Sequence, residues 1–455
     1  MRIPSSGCLT CGGCTHSASV RELQNSLGEK EWLAALGFAL MLERGPGGAS
    51  CSSSWWGPYL ASLPSSEPGV VMMWPVERRR HLAGTEVEQA LRDERAQARI
   101  EWDRHVRAIV ERLDKANDST ITDADATAAE KGATPSYTFE EYCAARSVVS
   151  SRAFTINPTV GVGLVPIADL FNHRTGGHHV HLTDLNDEEE DKLGLVGVVP
   201  EEEEEEEEAG RDGGGDINEG ERMFMKVVKM VNQGEEMFNT YGELGNAKLL
   251  CSYGFTQIDN PADDVTIGVP ALRAAAALCG VSGSQITTRL SWCETKGVCD
   301  DESMFHLRPH STPPDALLLV LWALAVSDES FDVLRKDKAT SITNTEIVPH
   351  YTAIAEKQGG LKEERALRIL LETLRRRRAL YKGVPEDGVS EWKSNISVLL
   401  DSEDEILRNC EKYLEENMQR EEAVEKKKRR CDSGGSEPGD AQQKAAAADA
   451  FSLFD

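Results

Sequence analysis

The sequence has no apolar run long enough to cross a membrane. Its longest, Ala316–Val326, holds eleven residues, where a spanning helix needs about 20, so the run is expected to be a buried core helix. Positive charge is also scarce: 50 Lys and Arg stand against 77 Asp and Glu, a formal net charge of −27. That balance argues against direct nucleic-acid binding by bulk charge. The amino terminus, MRIPSSGCLTCGGC, lacks the apolar stretch of a secretory signal. The eleven cysteines are therefore expected as reduced thiols of a protein that is not secreted. Cys8, Cys11 and Cys14 form C-x-x-C-x-x-C, but no fourth ligand follows at zinc-site spacing, so no metal is expected. The signatures G-x-S-x-G, Walker A and H-E-x-x-H are all missing.

What is present is enough for a large core. Hydrophobic residues make up 40% and charged residues 28% of the 455, a globular balance. Trp32, Leu33, Leu36, Ala39 and Leu40 recur at helical spacing and predict an amphipathic helix over Glu29–Leu42. Further helices are expected over about Glu86–Asn117 and Tyr137–Ala153, separated by the polar loop Asp118–Pro135. From Thr155 the Gly-rich, β-branched pattern of PTVGVGLVPIADLF predicts strands and tight turns, with VPIADLFNH read as a strand. Asp187–Gly220 contains eight consecutive glutamates and reads as a disordered acidic insertion. Within it Lys192–Pro200 could form a short strand. The insertion would connect a strand ending near His181 to one at Met223–Val231.

Beyond Pro261 the pattern is helical. Pro313 and Pro314 precede the Asp315–Val326 run, as suits a helix start. Leu367, Leu370, Leu371 and Leu374 form one apolar stripe; Ile406, Leu407, Cys410, Tyr413 and Leu414 mark another. Arg375–Arg378 is expected to face an acidic surface or solvent. Lys426–Arg430, KKKRR, reads equally as a nuclear localisation signal or as the basic end of a solvated helix. Location is therefore expected to be nuclear, cytoplasmic or both. Residues 431–455 are expected to be a disordered tail.

Polar chemistry concentrates in two blocks, VPIADLFNHR (Val165–Arg174) and NQGEEMFNTYGELGNAKLLCSYGF (Asn232–Phe255). With SRAF (Ser151–Phe154) just ahead of them, these blocks closely resemble the SET domain of protein methyltransferases. The likeness is to the RuBisCO large-subunit methyltransferase type, most nearly the group of SET domain-containing protein 6 and the fungal ribosomal lysine methyltransferases. The segments SSWWGPYLASLP and MWPVERRRHLAGTEV are similar too, and ALRILLETLRRRRALYKG resembles part of that type's carboxy-terminal lobe. No Cys-x-Cys cluster follows Phe255, as in the RuBisCO type.

The resemblance implies an α+β fold: a mostly-β SET domain over 1–268 with a helical insertion at about 29–153, then an all-α substrate-binding domain over 269–430. It implies S-adenosylmethionine as cofactor and a protein lysine ε-amine as acceptor. It makes Tyr241 the catalytic tyrosine, and Asn172, His173, Arg152 and Tyr253 the cofactor-binding residues. Asp169 and Tyr253 would line the lysine channel, although both residue types also serve in core packing or turn capping. His178, His179 and His181 are not expected to bind metal with His173. The family's first cofactor element, a G-x-G loop, has no counterpart ahead of MRIPSSGCLT, and Gly161-Val162-Gly163 cannot replace it. A chain starting at Met1 is therefore expected to bind the cofactor weakly or not at all. The other readings are an inactive SET-like module that binds a protein partner and an enzyme acting on histidine. Tyr253 favours lysine over histidine.

Overall fold

The computed structural model describes residues 2–28, 31–48, 55–120, 136–157, 159–183, 222–337, 345–358, 360–361, 363–384 and 390–433. They divide into two compact units. The first comprises Met1–Ile267, His306–Ser311 and Leu374–Arg408; the second comprises Gly268–Phe305, Thr312–Thr373 and the residues from Asn409 on. The strands are β1 (Arg2–Pro4), β2 (Leu9–Thr10), β3 (Ala153–Asn157), β4 (Gly161–Leu164), β5 (Val180–Thr183), β6 (Arg222–Val227), β7 (Val265–Gly268) and β8 (Met304–Leu307). The helices up to β3 are α1 (Ser17–Leu27), α2 (Trp32–Arg44), α3 (Gly57–Ser62), α4 (Val76–Arg79), α5 (Glu86–Glu101), α6 (Arg107–Thr120) and α7 (Phe139–Arg152). Those after β6 are α8 (Asn246–Tyr253), α9 (Val269–Leu278), α10 (Gly283–Thr295), α11 (Asp315–Ala325), α12 (Asp328–Lys336), α13 (Ile347–Lys357), α14 (Glu364–Arg378) and α15 (Glu391–Ser433). No helix among the described residues is long and apolar enough to cross a membrane.

Local sequence explains many of the boundaries. Thr138 and Glu141 form a reciprocal capping box at the start of α7, satisfying two backbone donors that a helix start leaves unpaired. Ser282 and Gln285 do the same for α10. Pro314 is the N-cap of α11, whose residues Leu317–Ala325 are all buried. The expected amphipathic helix exists as α2 but is not amphipathic: every residue from Ala34 to Glu43 is buried. It packs against both α1 and α7, so a one-sided apolar stripe would not suffice. Glu43 is buried there and accepts a hydrogen bond from the Thr15 backbone N–H.

Two small antiparallel sheets carry the first unit's polar blocks. In one, β6 lies between β1 and β5, with Ile3 opposite Met223 and Leu182 opposite Met225. The expected strand at Met223–Val231 thus ends at Val227, and its partner β5 holds His181 as read from sequence. Residues 184–221, including the acidic run and Lys192–Pro200, lie outside the described residues, as do the polar loop 121–135 and the tail from 434. In the other sheet, β4 lies between β2 and β3, with Leu9 opposite Leu164 and Phe154 opposite Gly163. Gly163 is required: a Cβ there would meet the Leu9 carbonyl oxygen at 2.9 Å and Ile156 Cδ1 at 2.8 Å. The strand expected over VPIADLFNH is a correction. The strand is Gly161–Leu164, and the chain then turns into a 3-10 helix at Ala168–Leu170. The turn passes through Ile167 at φ 75°, a left-handed value that a β-branched side chain rarely adopts.

The second unit has its own core. Trp292 packs edge-on against Phe331 and Tyr351. Arg289, 1% exposed, donates to the Leu324 carbonyl (2.7 Å) and to Asp328 Oδ1 (2.8 Å). Leu367, Leu370 and Leu371 of α14 are buried in this unit, as are Cys410 and Leu414 of α15, while Leu374, Ile406 and Leu407 are buried residues of the first unit. Within the first unit, Arg377 pairs with Glu403 (3.1 Å) and Arg378 with Asp404 (2.6 Å), so part of the Arg375–Arg378 run does meet acidic groups. Side chains 426–430 of the KKKRR segment lie outside the described residues.

Candidate active site

The site grows from the end of α7. Its last residue, Arg152, leads directly into β3. The Arg152 guanidinium donates through Nε to Glu67 Oε1 (2.7 Å) and through Nη1 to the Asp169 carbonyl (3.2 Å). Its Nη1 also lies 3.9 Å from Asp169 Oδ2. Asp169 sits in the 3-10 turn behind Ile167, its side chain 2% exposed. Tyr59 of α3 donates its hydroxyl proton to Asp169 Oδ2 (2.8 Å), while Oδ1 has no partner among the described residues. Burial raises the Asp169 carboxyl; the Tyr59 hydrogen bond and Arg152 pull it back down.

The two polar blocks are laced together by backbone. Asn239 N–H donates to the Asn172 carbonyl (2.7 Å) and Arg174 N–H to the Asn239 carbonyl (3.0 Å), so His173 and Asn239 form a parallel bridge. His173 Nδ1 accepts from the Tyr241 backbone N–H (2.9 Å), and its Nε2 lies 2.7 Å from Thr175 Oγ1. With Nδ1 accepting, a neutral ring must carry its proton on Nε2 and donate it to Thr175. Burial, with help from His178, pushes the His173 pKa down to about 4, so the ring is neutral at pH 7. Thr175 is itself held by Gln257, and Gln257 by Asn246, whose side chain bonds Asp263.

Three rings follow in sequence. His173 stacks on Tyr241 (centroids 4.9 Å, 28°) and Tyr241 on Tyr253 (4.6 Å, 30°). Tyr241 donates its hydroxyl proton to the Phe171 carbonyl (2.8 Å). Burial, reinforced by Tyr253, pushes its pKa up to about 12. Tyr253 ends α8, and burial raises its phenol as well. The glycine after it is needed: Gly254 has φ 84°, and a Cβ would meet the Gly69 carbonyl carbon at 2.4 Å.

A cleft of about 310 Å³ is lined by Arg152, Asp169, Tyr241 and Tyr253, together with Trp32 and Phe154. Of the residues singled out by sequence, these four meet there, and His173 supports the wall through Tyr241. Asn172 does not line it: its side chain is exposed and donates to Glu236 Oε1 (2.6 Å). Tyr59, Glu67, Trp32 and Thr175 were not anticipated. Tyr59 lies within the similar segment SSWWGPYLASLP, but nothing local ties it to a carboxylate 110 positions away. The histidines do not gather into a metal site. His179 Nδ1 accepts from Phe238 N–H, and no metal-holding group of three His, Cys, Asp or Glu occurs among the described residues. Cys14 donates its thiol proton to the Cys11 carbonyl, and burial raises the pKa of Cys8, Cys11 and Cys14 alike.

No protein-family model matches the chain. Ribosomal lysine N-methyltransferase 3 of Saccharomyces cerevisiae is 29% identical over 170 residues, 28% of this chain and 31% of the relative. N-lysine methyltransferase setd6 of Xenopus laevis is 26% identical over 232 residues, 50% of this chain and 43% of the relative. Ribosomal lysine N-methyltransferase set10 of Schizosaccharomyces pombe is 24% identical over 300 residues, 63% and 46%. The chain thus spans less than half the length of these relatives. Among solved structures, the SET domain of LSMT bound to methyl-lysine and AdoHcy aligns with a TM-score of 0.59 at 16% identity, covering 92% of this chain and 82% of that one. The same domain bound to lysine and AdoHcy gives 0.60 at 17%, covering 91% and 81%. By sequence and by fold, the chain resembles the SET-domain protein-lysine methyltransferases of the RuBisCO large-subunit methyltransferase type.

Proposed function

We propose that the protein transfers a methyl group from S-adenosylmethionine to the ε-amine of a lysine in a protein substrate. The observation that carries this reading is the Tyr241–Tyr253 stack lining one cleft with Asp169 and Arg152, on a SET-type fold. The donor set suits the cofactor. Asp169 Oδ1 has no partner among the described residues and can accept from an ammonium group, and the Tyr253 ring, at the cleft end of the stack, offers a face that attracts a cation such as a sulfonium. Arg152, His173 and Tyr253 would hold it, with Asn172 acting from the bridge beside Asn239. When bound, the cofactor supplies an electrophilic methyl group on sulfur.

The chain's own residues supply placement. Only about four in ten thousand free lysines are neutral at pH 7, and aromatic walls disfavour the ammonium form. The Tyr241 phenol, with its pKa pushed up to about 12, is neutral and cannot serve as a base near pH 7. Its proton is committed to Phe171, so its oxygen remains an acceptor that can orient the amine. Positioning of this kind accounts for most of the rate enhancement such a transfer needs. Asp169 and Tyr253 would line the lysine channel. The SET domain would span 1–268 and the substrate-binding domain 269–430.

The test is transfer of tritiated methyl from S-adenosylmethionine to protein in an extract, with the modified side chain identified by mass spectrometry. Methyl-lysine is expected. Label on histidine, or cofactor binding with no label transferred to any protein, would overturn the reading.

A further inference from the structure

We propose that Tyr59, from the helical region between β2 and β3, is a positioning residue that fixes the Asp169 carboxyl at the cleft. This rests on the reading above. The Tyr59 hydroxyl donates to Asp169 Oδ2 at 2.8 Å. Arg152 approaches the same oxygen at 3.9 Å and holds the Asp169 carbonyl at 3.2 Å. Glu67 holds Arg152 from the far side at 2.7 Å. Both Tyr59 and Glu67 belong to the stretch between α2 and α4, so that stretch orients the carboxyl from outside the two polar blocks. With Oδ2 committed, Oδ1 is the oxygen left to receive an ammonium hydrogen, from the cofactor's α-amino group or from the incoming lysine.

Among the described residues, the backbone N–H groups of Ile167 and Asp169 act on the Asp169 carboxyl, together with side chains from neighbouring elements. Tyr59 comes from α3, Arg152 from the end of α7 and Tyr241 from the second polar block; Cys8 sits behind Tyr59, and Glu67 acts through Arg152. Tyr59 has its own pKa raised, first by burial and then by Asp169, so it stays a proton donor throughout the accessible range. A hydroxyl donor stabilises the carboxylate over the carboxylic acid. Removing it should therefore raise the Asp169 pKa and move the loss of activity on the acid side to higher pH. One hydrogen bond to a charged group corresponds to a shift of about one pH unit.

The experiment compares the full chain with Tyr59→Phe, which deletes only the hydroxyl. The acid limb of kcat/KM for methyl transfer is expected to rise by about one pH unit. A uniform loss at every pH would indicate a merely structural role, and superimposable profiles would show no role; either overturns the proposal. Thermal unfolding gives a second readout that needs no activity. Because the hydroxyl favours the carboxylate over the acid, Tyr59→Phe should lower Tm more at the alkaline end of the stability range than at the acid end. The difference should vanish in an Asp169→Asn background. Equal losses at both ends would overturn the positioning role. Absence of methyl transfer in the wild-type chain would instead contradict the proposed function, and the unfolding comparison would still decide for or against Tyr59.

Discussion

Arg146 and Arg152 stand six residues apart on one helix and do different work. Arg146 is 4% exposed and pairs with Glu101 at 2.6 Å, beside a Tyr142 hydroxyl bonded to the same oxygen. Arg152 is 25% exposed and reaches Glu67 and Asp169. Each network leaves one carboxylate oxygen without a partner among the described residues, Glu101 Oε1 and Asp169 Oδ1. An orphaned oxygen is therefore no mark of function by itself. Glu101 is 1% exposed and does not line the cleft, whereas Asp169 does. Location, not pairing, separates a structural ion pair from one that can meet a ligand.

The comparison breaks most sharply on stability. Arg146→Ala should cost about 3–5 kcal/mol in denaturant unfolding, because it strands the buried Glu101 carboxylate. A cost below about 1 kcal/mol would show that Glu101 takes up a proton or water at little expense.

His173 tests the aromatic side of the site. Its folded pKa of about 4 lies below the ordinary 6.5, so between these values the unfolded chain binds the proton and the folded one does not. Stability from this group is fully present above pH 6.5 and declines as pH falls toward 4, with a slope of at most about 1.4 kcal/mol per pH unit. His173→Gln should flatten that part of the stability profile. An unchanged slope would assign the loss to other groups.

Arg152→Ala should reverse the pattern of Arg146. Its partly exposed pair with Glu67 contributes only about 1 kcal/mol to unfolding, and its charge stands 3.9 Å from Asp169, while S-adenosylmethionine binding measured by calorimetry should weaken several-fold or more. Equal effects on both quantities would erase the distinction between the two arginines.

The smallest effect is expected from deleting Glu201–Asp216. The flanking strands β5 and β6 pair directly, from Val180↔Val227 to Thr183↔Phe224. Loop-closure entropy changes by only about 0.6 kcal/mol per doubling of length, so Tm should move by no more than a few degrees. A large fall would show that the acidic stretch packs on the first unit.

Much of this was legible in the sequence because it is written locally. A charged helical stretch marked α5, a continuous apolar run after two prolines marked α11, an apolar stripe marked α14, and a turn-rich pattern marked β4. The blocks around His173, Tyr241 and Tyr253 are continuous enough to be recognised whole, and four of the residues they and SRAF suggested meet in one cleft. Burial on every side of α2 was not legible, since a periodic stripe says nothing about how many neighbours a helix will have. The turn at Ile167 was hidden because VPIADL has the composition of a strand. The Tyr59–Asp169 bond was hidden because it joins residues 110 apart, and only the folded chain brings them within reach.

Methyl transfer by Tyr241→Phe tests the account most directly. The substitution leaves the Tyr253 and His173 stacking faces in place and removes only the hydroxyl held by Phe171. Removing a group that acts mainly in the transition state should lower kcat by about 10²–10³-fold, with S-adenosylmethionine affinity nearly unchanged. Tritium incorporation by the variant at close to the wild-type rate would contradict the assignment of Tyr241 as the catalytic tyrosine.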